Sequence, residues 1–356
     1  GFHNSKIEKY RKEFDSYSAL AQADESILSQ YMTAADVTEL ISTRELQGIH
    51  SAYASIIKSG IRYYAKESPE YPDKLANISS PPVGLYVRGR LPSPALPTVA
   101  IIGARNCTAY GRQMARLFSR ELAKSGIQII SGLARGIDGI AQGAALDVGG
   151  YTCGVLGCGV DICYPKENQD IYDLALVSGG IISEYPPKTA PIPRLFPARN
   201  RIISGLSDAI LVIEARERSG TLITVNMALE QGKDVYSLPG RINDPLSYGC
   251  NKLISEGAIP LLDTDSFLDE FLERFNIVHQ KSTSDSPSIK DIFLTTDERL
   301  IMSVLDFIPK SISEIYCSLT DRSSMSIPAL MQLLTNMTMQ KKIRCIDGCN
   351  YYIEED

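Results

Sequence analysis

Glycine and cationic residues recur together in four short segments in the middle of the chain. Three of these segments follow apolar runs, and they are IIGARNCTAYG (101–111), IISGLARGID (129–138) and VLGCGVDICYPK (155–166). The fourth, FPARNR (196–201), follows a proline-rich link. Backbone amides freed by glycine, set beside fixed cations, suit a phosphate-bearing ligand. Because such turns recur, this ligand could be longer than one nucleotide.

The first turn places Gly103 at the end of a predicted strand and Arg105 two residues later. It lacks the GxGxxG pattern of dinucleotide-binding proteins, and no acidic residue ends the following strand, where the ribose of a dinucleotide would need one. A dehydrogenase is therefore disfavoured. Taken alone, this turn is best explained as a tight loop with a surface arginine.

The second turn contains Ser131, Gly132 and Gly136 just before a predicted helix, with Asp138 in the first turn of that helix. Asp138 complements the helix dipole, so capping explains it as well as any other role. Arg135 is different, because a charged side chain inside a glycine-bounded loop is well placed to meet an anion.

The third turn repeats this arrangement with Gly157, Gly159 and Lys166, and it adds Tyr164 as a possible stacking surface. A GxG after a strand indicates little by itself. Its value comes from position, since parallel strands bring successive turns to the same edge of the sheet.

The FPARNR segment opens a predicted helix with an aromatic ring and two guanidinium groups. These groups suit a sugar-phosphate backbone with an adjacent base. An arginine here could instead pair with Glu184 or Glu214 inside the fold. We favour the ligand-binding interpretation for the group Phe196, Arg199, Asn200 and Arg201.

One more helix start, in EARERSGTLIT, contains Ser219, Gly220 and Thr221. Hydroxyls and backbone amides there could hold a further phosphate, although Ser and Thr are also ordinary N-caps. The sequence leaves both roles open.

Charge and histidine content limit the chemistry. The net charge of −6 gives no general attraction for nucleic acid, and residues 98–265 hold 16 Lys and Arg against 17 Asp and Glu, so only clustering could create a basic patch. The three histidines are His3, His50 and His279, all outside that region. This argues against a zinc site or a Ser-His-Asp triad there, and we expect no metal, no cofactor and no catalytic constellation.

Cysteine usage and hydropathy indicate a cytoplasmic protein. The eight cysteines form no CxxC pair, which favours reduced thiols, and no apolar run reaches the roughly 18 residues of a membrane helix. The first residues lack the apolar run of a secretory signal. Because the chain begins at Gly1 instead of Met, we expect some native residues to precede it.

Apolar runs alternate with helical patterns from Thr98 onward, which predicts an α/β fold with an extended Rossmann-like, mostly parallel, doubly wound sheet. Right-handed crossovers would then place all the glycine-rich turns along one crevice. The predicted organisation is a helical module (1–66), an extended proline-rich lead-in (67–97), the Rossmann-like domain (98–279), a linker (280–295) and a winged-helix-like domain (296–356).

The C-terminal region shows three helical patterns followed by a strand pair around Asp347-Gly348, which is the order of a winged helix. Its predicted third helix, IPALMQLLTNMTMQ, contains no Lys or Arg. A helix that reads the major groove needs polar and basic contacts, so we expect protein contact or a degenerate accessory role instead.

Taken in order, GARNCTAYG, SGLARGID, GCGVDICYP, SEYPP, FPARNR, EARERSGTLIT, LPG and GCNKLISEGA resemble the DNA-processing protein A family, also called DprA or Smf. The resemblance implies a protein that binds single-stranded DNA without cleaving it, helps load RecA recombinase in natural transformation, and forms a homodimer. It assigns DNA binding to Arg105, Lys166, Arg199 and Arg201. It also matches Gly132 and Gly136 to the second-turn motif, with Arg135 where the family often has Lys.

Two alternatives remain. One is an enzyme that hydrolyses nucleotides, similar to the lysine-decarboxylase-like phosphoribohydrolases, but their PGGxGTxxE signature corresponds here to SGTLITVNMALE, without the paired glycines. The other is a protein-interaction module in which the turns are structural.

Overall fold

The apolar runs form one nine-stranded sheet in a computed structural model of the protein, which describes residues 4–45, 48–277, 295–305, 309–319, 325–340 and 342–353. The strands are β1 (Arg62–Ala65), β2 (Gly84–Gly89), β3 (Thr98–Ile102), β4 (Gln128–Ser131), β5 (Thr152–Val155), β6 (Gly180–Ser183), β7 (Ala209–Val212), β8 (Asp234–Ser237) and β9 (Ile259–Pro260). Their spatial order is β1-β2-β6-β5-β4-β3-β7-β8-β9. All neighbours are parallel except β1 with β2 and β2 with β6, which confirms the mostly parallel α/β sheet.

The sheet includes two strands from before residue 98, where the predicted domain begins. β1 comes from the end of the predicted helical module, and β2 from the proline-rich lead-in. The register pairs Arg62 with Val87 and Gly89 with Gly180, so β2 joins β1 to the parallel core. Aromatic and β-branched residues in RYYA and GLYVRG favour this extended state over the helix that the neighbouring pattern indicated.

Helices cover both faces of the sheet, as the doubly wound prediction requires. One apolar cluster joins the sheet to α7 (Ala109–Lys124), α8 (Ile137–Asp147) and α13 (Thr264–Glu273). A second cluster, built on the alternate residues of the same strands, joins it to α6 (Asp73–Ala76), α10 (Leu195–Leu206), α11 (Gly220–Glu230) and α12 (Tyr248–Ser255). The remaining helix, α9 (Gln169–Ser178), packs on α8, β2, β5 and β6.

The strand order reverses at β3. The chain runs from β3 outward through β4, β5 and β6, then crosses back through α10 to place β7 on the other side of β3. In open α/β sheets this reversal opens a crevice at the carboxyl ends of the strands. The turns after β3, β4, β5 and β7 therefore share one edge.

In residues 4–45 and 48–58, which the structure describes, five helices precede the sheet: α1 (Asn4–Arg11), α2 (Tyr17–Gln22), α3 (Glu25–Tyr31), α4 (Ala34–Glu45) and α5 (Gly48–Lys58). The first four enclose a small apolar cluster that includes Leu20, Leu28 and Val37. An ion pair of 2.7 Å between Arg11 and Glu67 ties the first helix to the segment after β1.

The chain divides into two compact units, Gly1–Gln280 and Lys281–Asp356. Apart from Thr295, the predicted linker (280–295) lies outside the described residues. The second unit contains α14 (Thr296–Met302), α15 (Ile312–Leu319), α16 (Ile327–Met339) and the strands β10 (Lys310–Ser311), β11 (Arg344–Ile346) and β12 (Asn350–Tyr352).

In this second unit the three strands form an antiparallel sheet in the order β10-β12-β11. Asp347 and Gly348 turn the β11–β12 hairpin with positive φ angles of 54° and 69°. The order of helices and hairpin is the one expected from the sequence, and the winged-helix assignment stays a prediction.

In the part of the chain that the structure describes, no helix is long and apolar enough to cross a membrane. The eight cysteines are free thiols. Among those same residues, no group of three or more His, Cys, Asp or Glu side chains is arranged to hold a metal ion.

Candidate nucleic-acid interface

Four arginines line a cavity of about 690 Å³ beside the turns that follow β3 and β4. We call this cavity the basic pocket. Arg105 comes from the first turn, Arg112 and Arg116 from α7, and Arg135 from the second turn. Its ionisable acids are Asp147 and Glu167, so the cations outnumber them two to one.

Of these four, the sequence predicted Arg105 and Arg135 and missed the two on α7. Arg112 and Arg116 stand four residues apart in a helix that begins just after the first turn. Residues at this spacing lie on one helical face. Extending the search for cations from the turn into the following helix would have found both.

A glycine allows the first two turns to meet. Gly136 has a φ of 74° and begins α8, where a side chain would be strained. A Cβ atom there would clash with the carbonyl oxygens of Ala104 and Arg105. The second turn can therefore pack directly on the first, which brings Arg105 and Arg135 to the same cavity.

Glu167 forms an ion pair of 2.5 Å with Arg135 at the pocket. Both side chains are largely exposed, at 61% and 57%. An exposed pair of this kind contributes at most about 1 kcal/mol to stability. It can therefore be opened by a competing anion at little cost.

The third turn leads into this site through a short 3-10 helix, Lys166–Asn168. Lys166 is exposed, and its side chain has no hydrogen bond or ion pair with any described residue. Two residues later, the Asn168 amide donates hydrogen bonds of 2.9 Å to the carbonyl oxygens of Leu133 and Ala134. These bonds fix Lys166 beside the second turn.

The predicted stacking residues form a pair of rings. The centroids of Tyr164 and Phe196 are 5.6 Å apart with the ring planes tilted by 32°, and Tyr164 is 46% exposed. Gly157 permits this arrangement, because a Cβ atom there would lie 2.9 Å from Cδ1 of Phe196. Arg194, which the sequence reasoning missed, is exposed at the start of α10, two residues before Phe196.

Arg199 lies inside the protein, with only 4% of its surface exposed. Its guanidinium donates a hydrogen bond of 2.8 Å to the carbonyl oxygen of Gly132 and another to that of Val155, while Nε donates to Oδ1 of Asn200 at 3.2 Å. Burial lowers its pKa to about 10, although the carboxylate of Asp138 opposes this shift. Arg199 therefore links the turn after β4 to the end of β5 through these hydrogen bonds.

Arg201 is also engaged with the protein. It forms a two-pronged ion pair with Glu184, at 2.8 and 2.6 Å, and its Nε donates to the carbonyl oxygen of Ser80 at 2.8 Å. The pairing with Glu184 that the sequence left open is therefore present. Phosphate binding by Arg199 and Arg201 stays a prediction that would require rearrangement.

Internal carboxylates fill the helix starts at the strand reversal. Glu214, which is 1% exposed, accepts hydrogen bonds from the backbone amide of Thr108 at 3.0 Å and from its hydroxyl, at the start of α7. Asp138, in the first turn of α8, accepts a bond of 3.1 Å from the amide of Gly132, and burial raises its pKa. A phosphate would compete with these fixed anions, so the amides of the first two turns are poor phosphate sites.

Other predicted residues make internal contacts. The hydroxyl of Ser131 donates to the carbonyl oxygen of Ile101 at 2.6 Å, the amide of Gly159 donates to that of Thr189 at 2.9 Å, and Gly103 packs against Ile137. Three further predicted residues lie apart from the basic pocket at the start of α11: Ser219, Gly220 and Thr221.

Fold and site together define a class: a doubly wound α/β protein whose crevice is filled by its own carboxylates and whose strand-end turns form a positively charged pocket on the edge that also carries the ring pair Tyr164–Phe196. The model of the family described as DNA recombination-mediator protein A matches residues 62–272. The chain belongs to this family, which confirms the resemblance seen in the sequence.

Individual proteins agree with this assignment. DNA processing protein DprA of Bacillus subtilis is 39% identical over 222 residues, covering 62% of this chain and 75% of the relative. The crystal structure of DprA from Streptococcus pneumoniae aligns with a TM-score of 0.60 and 32% identity over 76% of this chain and 98% of that one. A structure describing single-stranded DNA binding by the Helicobacter pylori protein aligns with a TM-score of 0.54 and 33% identity over 60% and 97%.

Proposed function

We propose that the protein binds single-stranded DNA without sequence preference and without cleaving it. The observation that carries this proposal is the basic pocket, where four arginines from two turns and one helix meet in one cavity on the edge that also holds the ring pair Tyr164–Phe196. A related protein from Helicobacter pylori binds single-stranded DNA, which supports the same ligand here.

Each part of the site has a role in this proposal. Arg105, Arg112, Arg116 and Arg135 receive phosphates, and Lys166 adds a cation beside the second turn. A base stacks on the exposed face of Tyr164, a contact that contributes roughly 1–3 kcal/mol in proteins of this kind. Neither contact distinguishes one base from another, so binding is independent of sequence.

Local charge must supply the affinity, because the whole chain has a net charge of −6. Binding through phosphates releases counterions and weakens as salt rises. We therefore expect Arg105→Ala and Lys166→Ala each to lower affinity for an oligothymidine about tenfold, and to reduce the slope of log affinity against log salt by about 0.7. Fluorescence anisotropy at several salt concentrations measures both quantities.

Lys124→Ala is the matched control. Lys124 lies at the far end of α7 from the basic pocket, and among the described residues it pairs only with Glu121, three residues away, at 2.7 Å. Its removal changes net charge equally but should leave affinity within about twofold. Unchanged affinity and slope in both Arg105→Ala and Lys166→Ala would refute this assignment of the site.

We further propose, from the family resemblance, that the protein acts as a homodimer in the cytoplasm and helps load RecA recombinase on single-stranded DNA during natural transformation. Membership in a family of recombination mediators supports this role. Sedimentation velocity tests the dimer. RecA assembly on DNA covered by single-stranded-DNA-binding protein, with and without this chain, tests the loading step.

The enzymatic alternative meets a physical obstacle in the crevice. A nucleotide hydrolase of this fold class would hold its phosphate at the helix starts, where Glu214 and Asp138 already accept the hydrogen bonds of Thr108 and Gly132. Release of free base from nucleoside monophosphates would nevertheless establish that activity directly.

A further inference from the structure

A second cavity, of about 510 Å³, opens on the same sheet edge between the turns that follow β7 and β8. These strands lie on the opposite side of β3 from β4, so this cavity and the basic pocket flank the strand reversal. Its lining includes Arg216 and Arg218 from the first of these turns, and Ile242, Asn243 and Tyr248 from the second turn and the start of α12.

Backbone hydrogen bonds hold the two walls of this second cavity together. The amide of Ala215 donates to the carbonyl oxygen of Leu246 at 2.8 Å, and the amide of Gly249 donates to the carbonyl oxygen of Ala215 at 2.8 Å. The cavity is therefore preorganised, and a ligand would lose little free energy in ordering it.

The start of α7, just after the turn that contributes Arg105, contacts the segments that lead from β7 and β8 to the second cavity. Glu214, at the start of the β7 turn, accepts the hydrogen bonds of Thr108. The hydroxyl of Tyr110 donates to the carbonyl oxygen of Pro239, after β8, at 3.2 Å, and the ring of Tyr110 is exposed. The start of α7 thus lies beside the basic pocket, through Arg112, and also contacts the segment after β8 that leads to the second cavity.

Donors at the second cavity have few protein partners. Arg216 and Arg218 are exposed and make no hydrogen bond or ion pair with the described residues, whereas the carboxylate of Asp244 is held by the amide of Leu246 at 2.8 Å. Ser219, the next residue after Arg218, has a buried hydroxyl oxygen with no hydrogen-bond partner in the described structure.

Apolar surface lies beside these donors. Ile242 is 93% exposed and Tyr248 presents about half of its surface to solvent. Cations next to an exposed ring form the combination that single-stranded nucleic acid uses, with phosphates on the arginines and a base on the ring. The two acids of the lining, Glu217 and Asp244, equal the two arginines in number, so this cavity is not basic overall and the argument rests on the exposed guanidinium groups beside the ring.

We propose that the second cavity is a further subsite for the same DNA strand, with phosphates on Arg216 and Arg218 and a base on Tyr248 beside Ile242. This inference rests on the proposed DNA binding at the basic pocket. The turns after β3 and β8 are separated by two strand spacings, about 10 Å. A strand that leaves the basic pocket therefore needs only a few more nucleotides to reach the second cavity.

Oligonucleotide length tests this arrangement. An oligothymidine of roughly 6 nucleotides should occupy the basic pocket alone, and one of roughly 20 nucleotides should also reach the second cavity. We expect Tyr248→Ala and Arg218→Ala to lower affinity for the long oligonucleotide at least about fivefold and to leave the short one within about twofold. Lys252→Ala, an exposed lysine further along α12, is the control and should change neither.

Other outcomes of these binding and sedimentation measurements would contradict the proposals. Unchanged affinity for both lengths, or an equal loss for both, would refute the subsite. A lower sedimentation coefficient in Tyr248→Ala or Arg218→Ala would assign the cavity to self-association instead, and would also overturn the proposal. Failure of the unaltered protein to bind the short oligonucleotide would refute the proposed function itself, which separates the two claims.

Discussion

Arginines of the first and fourth turns differ in what surrounds them, although the sequence presents them in similar settings. Arg105 is exposed and lines the basic pocket, whereas Arg199 is buried and satisfies two backbone carbonyl oxygens. Arg201 resembles Arg199, since its guanidinium is held by Glu184. The same residue type thus maintains the fold in one turn and is available to a ligand in another, and burial separates the two roles.

The largest effect should come from Arg199→Ala. This change leaves the carbonyl oxygens of Gly132 and Val155 without a donor and removes the cation nearest the buried carboxylate of Asp138. We expect the free energy of unfolding to fall by about 3 kcal/mol, measured by urea denaturation. Arg105→Ala serves as the control and should change it by less than about 0.5 kcal/mol.

Equal stability of these two variants would show that the burial of Arg199 does not matter for folding, and the contrast between the turns would disappear. Arg199→Lys sharpens the comparison, because it keeps a cation but lacks the planar fork that reaches both carbonyl oxygens. Its stability should lie between those of Arg199→Ala and the unaltered protein.

A smaller loss of stability is expected for Arg201→Ala, about 2 kcal/mol, since its side chain is 13% exposed and Glu184 5% exposed. A double-mutant cycle with Glu184→Gln isolates the ion pair from the bond that Arg201 donates to Ser80. A coupling energy below about 0.5 kcal/mol would place Arg201 with the surface arginines instead.

The smallest effect concerns Glu167→Gln, which should raise affinity for single-stranded DNA about threefold at low salt by freeing Arg135. The gain should disappear at high salt, where exposed charges are screened. Asp147→Asn is the matched control, because Asp147 lines the same pocket without forming an ion pair of its own in the described structure. An equal gain from Asp147→Asn would assign the effect to overall charge and not to the Arg135–Glu167 contact.

Local sequence predicted much of the fold because strands and turns follow from nearby residues. The apolar runs from Thr98 onward became parallel strands, and their glycine-rich turns met at one edge. β2 was not predicted as a strand of the sheet, since the prolines around it indicated only an extended lead-in and its partner β6 lies far away in sequence. Pairing across such a distance cannot be read from local pattern.

The candidate site was predicted in part for the same reason. Glycine and arginine in one turn identified Arg105 and Arg135, but the burial of Arg199 depends on the carbonyl oxygens of two other strands. Glu214 lies 106 residues from Thr108, so its place in the crevice follows only from the strand reversal. Residue types near one another in sequence predicted which groups could bind an anion, and tertiary packing decided which of them are available.

The position of Glu214 affects which residues can be substituted during evolution without loss of stability. Because a resident carboxylate satisfies the start of α7, the fold needs no ligand to complete its crevice. Arg105, Arg112 and Arg135 of the basic pocket are exposed and stand outside that arrangement, so their replacement leaves the hydrogen bonds of Glu214 in place. The strength of ligand binding can therefore vary among related chains while the stability of the sheet and its helices stays the same.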